Sequence, residues 1–543
     1  MIHSGMAAKP GPQSDRFSVL AIFLSFTVLG FLCTNFPTWG WPGGDGRDYA
    51  NITDALVEGG SFDIRHSARP MRRDDDPTVV LTENGGLYSI FPMGKALVQA
   101  PLLALARQVG AFTPGSMDKR LLDNLAFSAT TAILYGLSAC LLFLLLYRCL
   151  AFSYLMSVLG VLFYSLATLA FPFSKIHGVE SFQIVLFIGM VYFGLQPGRW
   201  SLALVSLCFS WAVVTKPPSA VALPVLTYLF FKNDLWGRAH WPSRIFAILV
   251  TCGFAALFFY YNWLRSGDPS ASYAVGHAAD STFAISRIPG TVWPLLFGPE
   301  RNLFLNNPIL FLAIPGFVLF RNKTYVITAA GLWLSMLLLY GASGNTNWGA
   351  YVGNGRYAVP FIFLLMPFVL ATVQYLSRLE KRSLKAIAYV GVAGLFLVSA
   401  YVQILYASYS EFHVKQYERR YNHQARALER PSLVEAKHQL QFAHTLFWNT
   451  QSCQHPAQLS TFPYPSKQPD TAEFAASILK LFNTPYFCKD YFFLSDKALV
   501  SVSWFKPLRM ALLLLLLLSI LFLAMAVGIH YRGNRCLLYT SPS

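Results

Sequence analysis

An apolar run, Phe17-Ser-Val-Leu-Ala-Ile-Phe-Leu-Ser-Phe-Thr-Val-Leu-Gly-Phe-Leu-Cys33, is soon followed by the polar stretch Gly43-Gly-Asp-Gly-Arg-Asp-Tyr-Ala50. The run approaches the roughly 20 residues that a helix needs to cross a bilayer. Asp45, Arg47 and Asp48 are therefore predicted to lie where the chain leaves a membrane. Glycines on both sides of these residues let the backbone turn tightly and approach a ligand. Two interpretations are open: a reactive carboxylate site, or a solvated turn with a helix cap.

The composition indicates an integral membrane protein. Hydrophobic residues make up 55% of the 543 residues and charged residues only 13%, a balance unlike that of soluble domains. The formal charge is +16, but the Lys and Arg residues fall largely in short connections between apolar runs, as orientation signals do. The sequence has no zinc-finger spacing and no recognisable nucleic-acid fold, so we expect membrane lipid and not nucleic acid as a partner.

Apolar runs of near-bilayer length recur along most of the chain. They predict an all-α membrane protein with a bundle of about twelve transmembrane helices, outer-face loops and a small C-terminal periplasmic segment. Lys95 to Val109 has the pattern of an amphipathic helix on the outer leaflet. The predicted spans are 17–35, 124–147, 152–171, 180–196, 200–215, 218–231, 244–263, 304–320, 324–341, 357–376, 386–406 and 509–530.

The basic residues predict the orientation of this bundle. With the N-terminus inside, the short inner loops carry the Lys and Arg residues, as the positive-inside rule requires. We therefore expect a multi-pass protein of a bacterial inner membrane with its active face on the periplasmic side. The predicted units are a polytopic core (1–406) with a periplasmic loop (36–123), a periplasmic segment (407–505), a last transmembrane helix (506–535) and a sequencing-adapter artefact (536–543), whose sequence resembles a translated transposon adapter.

Polar side chains at membrane depth are costly, so those retained at helix ends are candidates for function. Each also has a structural explanation. Lys175 and Arg265 are long enough to snorkel to the interface. His177 alone is more often a hydrogen-bonded structural histidine, and Trp348 and Tyr357 suit an interfacial aromatic belt. On the predicted topology the candidates share the outer side: Asp45, Arg47, Asp48, Lys175, His177, Glu180, Lys216, Asn262, Arg265, Trp348, Arg356 and Tyr357.

Carboxylates gathered with cations suit the transfer of a sugar from a lipid phosphate. A carboxylate acts as general base by taking the proton of the acceptor hydroxyl as that oxygen attacks the anomeric carbon. Arg and Lys stabilise the departing phosphate, Arg with its bidentate fork and Lys as a point charge. Direct displacement would invert the anomeric configuration. The residues favour this reaction, with a transporter of lipid or lipid-linked glycan as the alternative.

Several stretches, in order, resemble the polytopic, polyprenyl-phosphate-sugar-dependent glycosyltransferases of the GT-C fold, the superfamily of protein mannosyltransferases and lipid A aminoarabinose transferases. The similarity covers about residues 17–376. Lys216 stands where relatives often have Arg, which weakens bidentate phosphate binding. The stretches are Asp45–Tyr49, Tyr88–Gly94 with Pro101, Phe173–His177, Thr215–Pro217, Tyr261–Pro269, Leu296–Pro299 with Pro308, and Trp348 with Gly355–Tyr357.

The resemblance implies a hexosyl or pentosyl transferase of the cell envelope, with a polyprenyl-phosphate sugar as donor. Asp45 is the expected general base with Asp48 in support, although which of the two takes the proton is open. Further substrate-binding candidates from the resembling stretches are Tyr49 and Tyr88. No ligand spacing requires a metal, and a divalent ion remains compatible with the carboxylates. The sugar and the acceptor, whether glycan, lipid or protein, are not encoded in recognisable form.

Overall fold

The computed structural model describes residues 12–33, 45–67, 78–112, 119–175, 178–270, 284–296, 303–343, 356–407 and 505–539. Within these residues the fold is almost entirely helical, as predicted. The helices are α1 (Pro12–Cys33), α2 (Asp45–Gly59), α3 (Gly94–Phe112), α4 (Lys119–Leu144), α5 (Tyr154–Ala167), α6 (Ala170–Lys175), α7 (Glu180–Leu195), α8 (Ser201–Thr215), α9 (Leu223–Lys232), α10 (Leu235–Arg238), α11 (Trp241–Ser266), α12 (Ile288–Leu296), α13 (Leu303–Asn306), α14 (Ala313–Leu319), α15 (Lys323–Ala342), α16 (Met366–Ser377), α17 (Arg382–Ala407) and α18 (Phe505–Tyr539).

Several helices are extended by tighter or wider turns. A π-helical turn, Leu145–Cys149, continues α4, and 3₁₀ segments precede α9 (Pro217–Ala222), α14 (Pro308–Leu312) and α16 (Arg356–Leu365). Prolines open two of these segments and lie inside the third, where the missing N–H favours irregular helix.

Five described helices are long and apolar enough to cross a membrane: Leu122–Cys149, Trp241–Ser266, Lys323–Ala342, Arg356–Ser377 and Arg382–Ile404. Six shorter apolar helices accompany them, among them α5, α7 and α8. The chain is therefore a membrane protein with an apolar helical bundle. The count of twelve crossings and the periplasmic segment 407–505 remain predictions, and 408–504 lie outside the described residues.

The helices of the bundle pack against one another in pairs. α1 packs against α4 and α18, α7 against α8, α8 against α11, and α14 against α16. Small residues allow two of these approaches: a Cβ at Gly136 would lie 2.8 Å from the Phe23 carbonyl oxygen, and one at Gly316 would meet the backbone of Phe368. Close backbone contact through small residues is typical of helix packing in membranes.

The loop after α1 forms a small layer on one end of the bundle. α2 and α3 pack against each other, and a two-stranded antiparallel sheet, β1 (Val79–Leu81) and β2 (Leu87–Ser89), lies between them in the chain. The helix predicted over Lys95 to Val109 is present as α3, and its place on the outer leaflet stays a prediction. Its side chains Leu105 and Val109 are about half exposed.

A charged cluster fixes α2 and α3 to the start of α4. The Arg107 guanidinium on α3 binds Asp54 and Glu58 of α2 and lies 2.9 Å from an Asp123 oxygen on α4. Burial alone would lower the pKa of Arg107, but the hydrogen bonds and charges of Asp123 and Asp54 raise it further above its ordinary value. Asp54 is fully buried and also accepts a 2.6 Å hydrogen bond from the Ser67 hydroxyl. Because one cation satisfies carboxylates from two helices, this cluster sets the position of α2.

Candidate functional site

Glu180, the first residue of α7, is the centre of a buried charged group. Its side chain is 1% exposed, and its Oε1 accepts a 2.5 Å hydrogen bond from the Arg356 Nε. The Lys216 Nζ lies 3.9 Å from the same oxygen. Arg356 begins the segment that leads into α16, and Lys216 follows the last residue of α8. The fold therefore brings together three candidates that are widely separated in the sequence.

Lys95 joins this group from α3, and the sequence interpretation did not include it among the site residues. It is completely buried, and its Nζ donates a hydrogen bond to the carbonyl oxygen of Gly178. Burial lowers the pKa of Lys95 to about 7, the charge of Glu180 opposes that change, and the charge of Arg356 adds to it. The buried Lys95 amine is therefore less basic than the amine of an exposed lysine.

Close packing at Gly94 brings the start of α3 against the end of α8. A Cβ at Gly94 would lie 2.5 Å from the Cα of Thr215, so only glycine lets the start of α3 approach the end of α8 this closely. The Trp211 indole N–H donates a 2.9 Å hydrogen bond to the Gly94 carbonyl oxygen. The Pro-Met-Gly sequence before Lys95 is the signal that marks this residue, since it places the lysine at the first turn of a packed helix.

Two stacked tyrosines border the cations. The rings of Tyr340, at the end of α15, and Tyr357 are parallel to within 15°, with centroids 4.4 Å apart. The Lys216 Nζ lies 4.1 Å from the Tyr357 centroid and 5.8 Å from that of Tyr340. The negative faces of the rings stabilise the ammonium group. Tyr357 was predicted from the sequence, whereas Tyr340 was not.

α2 meets this group through aromatic packing. Asp48 is 2% exposed, and its Oδ1 accepts a 3.3 Å hydrogen bond from the Thr78 hydroxyl. The Tyr49 ring contacts the edge of Phe91 at 5.5 Å between centroids. Both rings belong to a cluster with Val179, the residue before Glu180. Asp48 is therefore held in the layer directly adjoining the charged group.

Other predicted site residues hold the layer together. The Arg265 guanidinium donates a 2.6 Å hydrogen bond to the Ile90 carbonyl oxygen and a 2.9 Å bond to the Asn262 Oδ1. The Tyr261 hydroxyl lies 2.9 Å from the carbonyl oxygens of Ser89 and Phe91. Through these contacts the end of α11 holds the backbone at the end of β2 in position.

The remaining predicted residues are distributed as follows. Tyr88 is half-buried in β2, where burial raises the pKa of its hydroxyl and the charge of Asp63 acts in the same direction. Arg47 is half-buried on α2. Outside the residues or side chains that the structure describes lie the Asp45 and Lys175 side chains, His177 and Trp348. The substrate-binding roles of all these residues stay predictions.

Cations next to a carboxylate at the end of apolar helices can bind and neutralise a phosphate group. Arg supplies a fork of N–H donors and Lys a compact charge, and both are strengthened where water is excluded. Across the described ranges, no three His, Cys, Asp or Glu side chains gather in a way that would hold a metal ion. The metal question left open by the sequence remains open.

No protein-family model matches the chain, and no curated protein matches it. Two crystal structures of ArnT from Cupriavidus metallidurans are similar to it. The complex with undecaprenyl phosphate has a TM-score of 0.42 and 15% identity, and the similarity covers 72% of this chain and 69% of that one. The apo structure has a TM-score of 0.41 and 14% identity, over 96% of this chain and 75% of that one. At TM-scores this low, the likeness by itself establishes neither fold nor activity.

Proposed function

We propose that the chain is a membrane glycosyltransferase of the GT-C class that moves a sugar from a polyprenyl-phosphate donor to an acceptor at the periplasmic face of a bacterial inner membrane. One observation supports this most strongly: Lys216 and Arg356 meet Glu180, with Lys95 buried close by at Gly178, next to the layer that holds Asp48. A transferase that uses a lipid phosphate needs cations and a carboxylate together at a membrane surface.

The cations have a defined task in this proposal. When the bond between the anomeric carbon and the phosphate oxygen breaks, the phosphate gains negative charge. Lys216 and Arg356 hold the donor phosphate and stabilise that charge, which lowers the barrier because they are already in place. Lys95 adds charge from the buried side of the cluster when it is protonated. Glu180 keeps the cations together in the absence of the donor.

The carboxylates of α2 supply the base. Asp45 takes the proton of the acceptor hydroxyl while the hydroxyl oxygen forms its bond to the anomeric carbon, and the phosphate leaves with the bonding electrons. Asp48 supports this step from the next turn of the same helix. Attack opposite the leaving phosphate inverts the anomeric configuration. His177 and Glu180 orient the sugar or the acceptor.

The experiment compares purified Asp45→Asn, Asp48→Asn and the double variant with wild type in a transfer assay with polyprenyl-phosphate sugars. Loss of the base is expected to lower turnover by about 10²–10⁴-fold. Glu83→Gln is the control, because Glu83 is an exposed carboxylate in the turn between β1 and β2. Near-normal turnover of the folded double variant would disprove the assignment of the base. Movement of the lipid across vesicle membranes without sugar transfer would identify a transporter instead.

A further inference from the structure

We propose that Gln183 and Ser219, together with Glu180, form a subsite that accepts hydrogen bonds from the hydroxyl groups of the donor sugar. The subsite lies one helical turn into α7 from the charged group. This inference rests on the proposed function and specifies where the sugar of the donor is recognised.

The three residues and Lys216 form a closed ring of contacts. Gln183 follows Glu180 by three residues, so both side chains lie on the same face of α7. The Gln183 Nε2 donates a 3.2 Å hydrogen bond to the Ser219 hydroxyl. The Ser219 N–H donates a 2.8 Å bond to the Lys216 carbonyl oxygen. The Lys216 Nζ closes the ring at Glu180.

Two oxygens in this ring lack a donor. Glu180 Oε2 and Gln183 Oε1 are buried and accept no hydrogen bond within the described part of the chain. Their residues are 1% and 3% exposed, and Ser219 is 3% exposed. Buried oxygens without a donor also occur elsewhere in the described residues, for example at Gln403, but these two share one ring with the Lys216 cation, and that combination points to a group that binds there.

The chemistry of the two oxygens selects the kind of group. Both are acceptors, so their partner must present hydrogen-bond donors. A phosphate diester has no donor and is attracted instead to the cations on the other side of Glu180. Sugar hydroxyls are donors, and a glycosyl phosphate carries them next to the charge that Lys216 and Arg356 bind. The acceptor oxygens thus suit the sugar of a glycosyl phosphate, and the neighbouring cations suit its phosphate.

The test measures the dissociation constants of undecaprenyl phosphate and of undecaprenyl phosphate carrying glucose, mannose or galactose, for wild type and variants in detergent. Wild type is expected to bind one glycosylated lipid more tightly than undecaprenyl phosphate. Gln183→Leu is expected to weaken binding of that lipid by about fivefold to tenfold, the effect of losing a neutral hydrogen bond, and to leave undecaprenyl phosphate unaffected. Ser219→Ala is a smaller change with the same expected direction and is used if Gln183→Leu does not fold.

Gln403→Leu is the matched control. Gln403 is also completely buried, its Nε2 donates to the Asn306 carbonyl oxygen at 2.6 Å, and its Oε1 likewise accepts no hydrogen bond in the described residues. It should change neither constant. Equal weakening of both lipids by Gln183→Leu, no weakening, or no sugar preference in wild type would each overturn the subsite while leaving the phosphate site intact. Failure of wild type to bind any of the lipids would overturn the proposed function itself.

Discussion

The ion pair between Glu180 and Arg356 allows a quantitative test of the charged group. The side chains are 1% and 10% exposed, so removing either partner leaves the other charge in a site that water does not reach. Breaking a buried pair in this way costs about 3–5 kcal/mol of the free energy of unfolding. Arg356→Gln should fall at the lower end, because Lys216 remains 3.9 Å from Glu180 and partly replaces the lost charge. The double variant Glu180→Gln/Arg356→Gln should lose less than the sum of the two single changes.

The free energy of unfolding can be followed by titration with SDS in mixed micelles. The interaction energy from the double-mutant cycle is expected to be about 1–3 kcal/mol, the range for residues in direct contact. Arg65→Gln is the control, since Arg65 pairs with Asp63 but its side chain is 47% exposed, and a solvated pair contributes little to stability. Additive single changes, or losses as small as that of Arg65→Gln, would refute a buried pair at this position.

Two further predictions concern residues around the site. Because the pKa of Lys95 is about 7, its charge is present below that pH and lost above it, so the affinity for a glycosylated polyprenyl phosphate should fall as pH rises through 7. The Lys95→Met variant should bind this lipid weakly, and its affinity should not change with pH in this range. If the affinity of wild type is constant from pH 6 to pH 8, about one unit on either side of this pKa, the Lys95 charge has no role in binding. Tyr261→Phe should cost about 1–3 kcal/mol of stability, because it removes the hydroxyl that lies beside the Ser89 and Phe91 carbonyl oxygens. Tyr260→Phe is the control and should change stability little, because Tyr260 is exposed. Thermal unfolding measures both effects.

The positions of the helices were predictable because each helix is marked in the local sequence by an apolar run between basic connections. The predicted spans 124–147 and 324–341 agree within two residues with Leu122–Cys149 and Lys323–Ala342. The prediction was less accurate at 218–231, where the prolines after Lys216 produce a 3₁₀ segment before α9. Whether such short elements cross the membrane depends on how they pack against other helices, which the local sequence does not specify.

The site was partly predictable for a related reason. Helices that alternate in direction place the start of α7, the end of α8 and the start of the segment before α16 at one end, so Glu180, Lys216 and Arg356 were expected to converge, and they do. Lys95 was not identified, because a lysine at the start of an amphipathic helix has the same pattern whether it faces water or protein. Its burial follows from the close contact at Gly94, a relation between distant parts of the chain.

The charged residues of the stretches that resemble the GT-C family make two different kinds of contact. At Lys216 and Arg356 charged groups meet the buried Glu180 carboxylate, and taking these charges out of water is costly. The Arg265 guanidinium instead donates a hydrogen bond to a backbone oxygen, the Ile90 carbonyl. The Ile90 N–H donates in turn to the Thr78 carbonyl, and the Thr78 hydroxyl donates to Asp48. The end of α11 is thereby connected to α2 through the sheet. Substitutions at Arg265 should therefore act on catalysis through the position of Asp48, and those at Lys216 through the phosphate itself.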